Sequence, residues 1–178
     1  ATRRLIIVKY RGSAHSTNEF PFLISDKGII LFPITSIRLD YKVDKERIST
    51  GIEGLDKMMQ GGIYRGSTVL ISGTAGTGKT SLGATFVHAA CQRNEKALYV
   101  SFEESPAQII RNMASIGLDL EKFVNKGLLQ IYAFRPTMYG LEMHLTKLMG
   151  LITEVSPQVV VIDPINSFLT ESEEHDVK

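Results

Sequence analysis

Eight residues constrain this chain more than any others. Gly73-Thr74-Ala75-Gly76-Thr77-Gly78-Lys79-Thr80 fills every fixed position of G-x-x-x-x-G-K-[ST]. Such a bend needs a strand before it and a helix after it, so that loop and helix N–H groups converge on one point. Both flanks read that way. TVLISG at 68–73 has the content of a buried strand, and a helix is predicted from 79 to about 93. The converging N–H groups suit the β- and γ-phosphates of a nucleotide. Gly73, Gly76 and Gly78 let the backbone approach without a Cβ in the way. Lys79 would reach the β/γ-phosphates as a point charge, and the Thr80 hydroxyl would hold Mg²⁺. Thr74, Ala75, Thr77 and Ser81 complete the expected nucleotide-binding stretch. ATP and Mg²⁺ are the expected ligands. No N-K-x-D tetrad for reading guanine is present. The bland alternative is a fortuitous glycine-rich turn that binds nothing.

The chain after the loop repeats strand and helix. ALYVSF at 97–102, LLQIYAF at 128–134 and QVVVID at 158–163 are predicted strands. The last is nearly all apolar, as parallel strands covered on both sides are. Ser105-Pro106-Ala107-Gln108 has the signature of a helix start: a capping Ser, Pro in the first turn and a Gln that returns the bond. Ile109, Met113 and Ile116 would share one face of that helix. After Gly140, Leu141, Leu145, Leu148, Leu151 and Val155 form one apolar stripe up to Pro157. Four strand–helix units predict an α/β fold with a mostly parallel sheet.

In such sheets ligands bind at the carboxyl edge. Asp163 closes VVVID at that edge and is a candidate Mg²⁺-side carboxylate; the alternative is a strand-end Asp capping the next turn. Glu103 and Glu104 follow ALYVSF at the same edge. One of them could orient and deprotonate an attacking water, with Glu103 the stronger candidate because it is nearer the strand end. Read blandly, the pair leads into an exposed helix. Lys79, Glu103 and Glu104 are thus the candidate catalytic residues.

Residues 1–47 differ in character. They carry nine Lys/Arg against five Asp/Glu, whereas 48–178 carry eleven against fourteen. Strands are predicted over 3–10, 19–25 and 29–34, with a turn at Asp26-Lys27-Gly28. No helix is available to cover such a sheet, so 1–47 is not expected to be a complete domain and reads as the tail of something. From 48, Ile48-Ser49-Thr50-Gly51 leads into a short helix, about 52–60, ended by Gly61-Gly62. Lys9, Arg11, Ser13 and His15 alternate after the first strand, either as a solvent face or as a row of donors for a neighbour's phosphate. The net charge of +1 argues against a protein that holds DNA mainly by its backbone. Cys91, the only cysteine, reads as a core thiol in a reducing compartment. His88 and His144 read as structural, and His175 falls in the acidic end ESEEHDVK. Tyr10, Tyr41, Tyr99 and Tyr132 read as packing, and Met58-Met59 as core or interface. No apolar run is long enough to span a bilayer, and the start is not a signal peptide. A cytoplasmic protein with no membrane contact is expected.

These residues together resemble the KaiC family of RecA-like ATPases, the circadian clock ATPase/autokinase and its bacterial and archaeal relatives. The stretches that carry the resemblance are ERISTGIEGLDKMMQGGIYRGSTVLISGTAGTGKTSLGATF, LYVSFEES, Arg111-Asn112, GLDLEKF, GLEMHL and VVVIDP. RLIIVKYRGSAHSTNEFPFLISDKGIILFP at 4–33 resembles the ribbon that closes the first domain of that family. The resemblance implies a RecA-like P-loop NTPase fold cut short on its C-terminal side. Residues 1–47 would end a preceding ATPase domain, and 48–178 would be the first two thirds of the next. It further implies self-association into a hexameric ring with ATP between subunits, and clock or signalling proteins as partners. Glu103 and Glu104 resemble the paired catalytic glutamates and Asp163 the Mg²⁺-side aspartate. Lys9, Arg11 and His15 resemble trans-acting residues that serve the preceding domain's site. Where clock members carry an aromatic beside the nucleotide base, this chain has Ile116. The hydroxyl residues that the clock kinase phosphorylates fall beyond Lys178, so autokinase activity rests on the resemblance alone.

The same residues also allow two other readings. A RecA/DnaB-like nucleic-acid-dependent ATPase would use the same core, but the near-neutral charge and the lack of a strand-binding segment speak against it. An ATP-gated, non-catalytic assembly scaffold would bind nucleotide and release no phosphate.

Overall fold

The structure, a computed structural model, describes residues 3–15, 17–25, 28–31, 44–134 and 141–168. The predicted ribbon is present but shorter at its start. β1 (Arg4–Leu5), β2 (Phe20–Ser25) and β3 (Gly28–Leu31) form an antiparallel sheet in that order. Among the described residues the strand predicted over 3–10 pairs at Arg4 and Leu5, opposite Pro21 and Phe20, and the Phe22 N–H donates to the Arg3 carbonyl. Beyond Leu5 no ladder among the described residues continues this strand, and Ile6, Ile7, Val8 and Tyr10 lie exposed, Tyr10 contrary to its expected packing role. Asp26 and Lys27 of the predicted turn, residues 32–34 of the third strand, Tyr41, Gly140 and the end from 169, with His175, lie outside the described residues.

β4 (Arg47–Ile48) pairs antiparallel with β5 (Ile63–Tyr64) around α1 (Glu53–Met58). Sequence patterning predicts α1 but not this pair, whose strands are two residues long. Arg47 holds the loop closed by donating to the carbonyls of Met59 at 2.6 Å and Gly62 at 2.8 Å. Its guanidinium also lies over the Tyr64 ring. Met58, expected in a core or interface, points to solvent instead, because the face of this short helix that carries it has no neighbour among the described residues.

The remaining elements are α2 (Lys79–Gln92), β6 (Ala97–Ser101), α3 (Pro106–Ala114), α4 (Glu121–Asn125), β7 (Leu129–Ala133), α5 (Leu141–Val155) and β8 (Val159–Asp163). A 3-10 turn over 165–168 follows. β6 is the centre of a three-stranded parallel sheet, order β7-β6-β8. Its side chains alternate between two layers. Ala97 and Tyr99 join Ala84, Val87 and Ala90 of α2, Ile109 and Met113 of α3, and Phe123 of α4. Leu98 and Val100 face the other way, onto Leu148, Leu151 and Ile152 of α5. The stripe on α5 is therefore real: Leu148 and Val155 are buried and Leu145 and Leu151 half-buried, while the Leu141 side chain lies outside the described residues.

Three expectations need correction. Residues 68–73 form no strand: Val69, Leu70 and Ile71 are 50%, 75% and 43% exposed. A strand needs a hydrogen-bonded neighbour, and among the described residues no ladder engages this run. The parallel sheet therefore has three strands among the described residues, not four. Among the described residues β8 has a ladder partner on one side only and Val160 is partly exposed, while Val159 and Val161 pack into the α2 layer and Ile162 into the α5 layer. Ile116 lies beyond the end of α3 and is exposed, so only Ile109 and Met113 make the buried face.

The capping box on α3 is complete: Ser105 Oγ accepts from the Gln108 N–H, and Gln108 Oε1 accepts from the Ser105 N–H at 2.9 Å. Helix α4 is not predicted by patterning; the Asp119 carboxylate accepts from the Lys122 N–H at its start. Cys91 is buried, and burial pushes its thiol up to about 11. His88 packs edge-on to Phe123, and buried His144 packs edge-on to Phe102 and Phe134. No helix among the described residues is long and apolar enough to cross a membrane.

Candidate functional site

The site is built where the loop meets α2. Gly78, the residue before the helix, has φ +84°, a left-handed conformation that glycine adopts without strain. That turn starts α2 directly at Lys79, with no side-chain cap on its first N–H groups. The free N–H groups and the positive end of the helix dipole make this terminus receptive to an anion. Lys79 folds back over the loop, its ammonium donating to the carbonyls of Gly73 at 2.8 Å and Thr74 at 2.7 Å. Thr77 Oγ1 also donates to the Thr74 carbonyl, at 2.9 Å. A phosphate oxygen at this point would replace neutral acceptors with a charged one, a stronger bond for an ammonium. Ser81 lies in the first turn of α2, where its carbonyl accepts from Thr85 Oγ1.

The next residue reaches across the fold. Thr80 Oγ1 donates to Asp163 Oδ2 at 2.7 Å, joining positions 83 residues apart in the chain. Register explains this: Asp163 pairs with Ser101 at the carboxyl end of the sheet, directly beside the start of α2. Thr80, Ser101, Glu103, Glu104, Ile109, Asp163 and Pro164 line one cleft. The candidate carboxylates thus converge as expected from strand-end positions.

The two glutamates are not equivalent. Glu104 is half-buried and tethered: its N–H donates to Ser101 Oγ at 3.0 Å, and its Oε2 accepts from Asn112 Nδ2 at 3.3 Å. Glu103 is exposed, and among the described residues no hydrogen bond or ion pair engages its carboxylate. A carboxylate that nothing holds is available to accept a proton; a tethered one is better suited to hold a shape.

Thr80 hydroxyl and Asp163 carboxylate are hard oxygen donors, the set that Mg²⁺ takes together with substrate phosphates and water. They already lie within hydrogen-bond distance of each other, so the residues present fit that ion.

Tyr99 is the residue that sequence patterning undervalues. Its expected role is packing, and it does pack, fully buried in the α2 layer. Its hydroxyl, however, donates to Asp163 Oδ2 at 2.7 Å. Burial first, and then the Asp163 carboxylate, push its phenol far above the ordinary tyrosine range. The only signal available in the sequence is a polar-tipped ring in the middle of an otherwise apolar strand.

Lys9 and Arg11 are exposed and His15 half-buried on the segment after β1; none of them lines the cleft. A wider depression lies at α1, lined by Ser49, Gly51, Glu53, Asp56, Lys57 and Gly61. Its central carboxylate is already used. Asp56 accepts from the hydroxyls of Ser49 and Thr50 and from the Thr50 N–H, which hold it below the usual carboxylate range.

Comparison with known proteins places the chain in a family. The family described as "ATPase: KaiC" matches residues 48–178. The circadian clock protein KaiC2 of Synechocystis sp. is 53% identical over 171 residues, 96% of this chain and 30% of that protein. The circadian clock oscillator proteins KaiC of Picosynechococcus sp. and Synechococcus elongatus are 41% and 39% identical over 165 residues, 93% of this chain and 32% of each. The chain thus spans about a third of the length of the curated relatives it matches. With a phosphate loop at the head of α2, carboxylates from two strand ends beside it and this depth of similarity, the chain belongs to the KaiC family of ATPases and has its α/β, RecA-like P-loop fold.

Proposed function

We propose that this chain binds Mg²⁺–ATP at the loop closed by Lys79 and hydrolyses it. The observation that carries the reading is the cleft in which the last loop hydroxyl, Thr80, the strand-end carboxylate of Asp163 and the unengaged carboxylate of Glu103 come together. Gly73 to Ser81 form the nucleotide-binding stretch. Lys79 and the free N–H groups of α2 take the β- and γ-phosphates and neutralise charge there. Thr80 and Asp163 hold the metal ion, which supplies charge neutralisation on the phosphates when bound. Glu103 orients a water in line with the γ-phosphate and accepts its proton; Glu104, held by Ser101 and Asn112, keeps the strand end in place.

The finer parts of the reading rest on kinship. Curated relatives carry circadian clock names, and a role in clock or signalling regulation extends that to this chain. Self-association into a hexameric ring, with nucleotide between subunits, gives Lys9, Arg11 and His15 a purpose: they serve the site of a preceding domain to which residues 1–47 belong. Residues 48–178 then form the front part of the following ATPase domain. Transfer to a protein Ser/Thr hydroxyl uses the same parts with that hydroxyl in place of water. A cytoplasmic setting fits the free, buried Cys91.

The test is incubation of the full-length protein with γ-labelled ATP and Mg²⁺. Label released as inorganic phosphate supports hydrolysis, and label retained on protein supports autokinase activity. Tight nucleotide binding with neither would favour the assembly scaffold. Salt-dependent single-strand binding coupled to turnover would favour the nucleic-acid motor.

A further inference from the structure

We propose that Tyr99 is a positioning residue for the metal ion, acting through Asp163; this rests on the Mg²⁺–ATP reading of the site. Tyr99 sits mid-strand, in register with Val161 of β8, two positions short of the Ser101–Asp163 pair. Parallel register puts Tyr99, Val161 and Asp163 on the same face of the sheet, so the ring reaches diagonally along the neighbouring strand to the carboxylate. The fold makes room for that reach. Gly83 faces this spot from α2; a Cβ there would lie 3.0 Å from Val161 Cγ1 and 3.9 Å from the Tyr99 hydroxyl. A phenylalanine would fill the same layer. The hydroxyl adds one thing only, a bond to Asp163 Oδ2.

That bond fixes the carboxylate. Oδ2 accepts from two directions, Thr80 Oγ1 from the loop and Tyr99 from the core, each at 2.7 Å. Two donors on one oxygen pin the rotamer, and among the described residues no hydrogen bond engages Oδ1, whose lone pairs are left for a ligand. Thr80, by donating its proton to Oδ2, keeps its own lone pairs for a cation. Thr80 sits in a half-buried helix start that has to admit a ligand, whereas Tyr99 is fully buried in β6. The core-side bond is therefore the one that holds Asp163 while the loop-side partner changes. Hydrogen-bond partners of metal-binding carboxylates act this way generally.

The experiment uses the full-length protein, a non-hydrolysable ATP analogue, and Mn²⁺ as a spectroscopic stand-in for Mg²⁺. Binding that disappears in Lys79→Ala defines the signal from this site. Tyr99→Phe is expected to keep the metal-free affinity for the analogue and to weaken Mn²⁺ binding to the analogue-loaded protein about tenfold, read by electron paramagnetic resonance titration. Tyr99→Met, apolar and without a hydroxyl, is expected to show the same weakening, so the result does not hang on one variant. Adding Tyr99→Phe to Asp163→Asn is expected to cost nothing further, because the group it acts through has already changed. Unchanged Mn²⁺ affinity in both hydroxyl-free variants, or an equal further loss on top of Asp163→Asn, would overturn Tyr99's role and leave the site reading intact. If the unaltered protein binds Mn²⁺ no better with the analogue than without it, the site reading itself falls, and this proposal with it.

Discussion

Two short runs feed the cleft, and they are nearly alike in composition. ALYVS at 97–101 ends in Glu103 and Glu104; TVLIS at 68–72 ends in the phosphate loop. The first is buried at every position, with Leu98 and Tyr99 at 0% exposure. The second is exposed throughout, with Leu70 at 75%. Residue type does not separate them. β6 has a strand on each side and helices on both faces, whereas no ladder among the described residues takes up 68–72. An apolar, β-branched run specifies a strand only where something pairs with it.

The largest effects are expected where each run delivers its candidate functional group. At the end of β6, Glu103→Gln is expected to leave ATP binding intact and slow phosphate release by about 10²- to 10⁴-fold. Equal turnover in single-turnover assays would move the base to Glu104 or elsewhere. At the end of the other run, Lys79→Ala is expected to weaken nucleotide binding on the order of 100-fold, since a charge-assisted contact to phosphate is lost. A fluorescent-nucleotide titration with unchanged affinity would remove the loop from the site.

Packing is the next test. In this 178-residue chain, Leu98→Ala is expected to cost about 3 kcal/mol in denaturant melts, because it leaves a cavity between the sheet and α5. Leu70→Ala is expected to cost under about 0.5 kcal/mol, as exposed substitutions do. An equal loss at Leu70 would mean that another surface covers residues 69–71.

A smaller effect than at Leu98 is expected just before β6. Glu95 there accepts from Arg65 at 2.7 Å and Arg93 at 2.9 Å. Burial alone would raise its pKa, but the two guanidinium bonds outweigh burial and hold it below the usual carboxylate range. A depressed folded pKa stabilises the fold above the unfolded value and is lost as pH falls through the folded one. Glu95→Gln should therefore cost about 1–2 kcal/mol at neutral pH, with the difference shrinking in acid. A gap between the two melting curves that stays constant down to acid pH would show that the carboxylate's charge contributes nothing.

Much of the site was legible because its chemistry lies in local patterns. A glycine-lysine bend, a carboxylate closing an apolar strand and a Ser-Pro-x-Gln helix start each announce themselves within a few residues. Asp163, Glu103 and Thr80 reach one cleft because parallel strands end on the same edge, which follows from alternating strands and helices. Three features were not legible. The β4–β5 pair is too short to show a period. Helix α4 spans five residues, fewer than a periodic pattern needs. The bond from Tyr99 to Asp163 joins positions 64 apart, and nothing near Tyr99 in the chain marks it as more than a buried ring.

The sequence by itself therefore determined the phosphate loop, the helix that carries its last residues and the identity of the carboxylates, since each depends on neighbours a few positions away. Tertiary structure alone decided which apolar run became a strand, which glutamate was tethered to Asn112 and which left unengaged, and that one core tyrosine would grip Asp163. Those outcomes depend on partners brought close by folding, and a buried hydroxyl or an unpaired backbone takes its value from what stands opposite it.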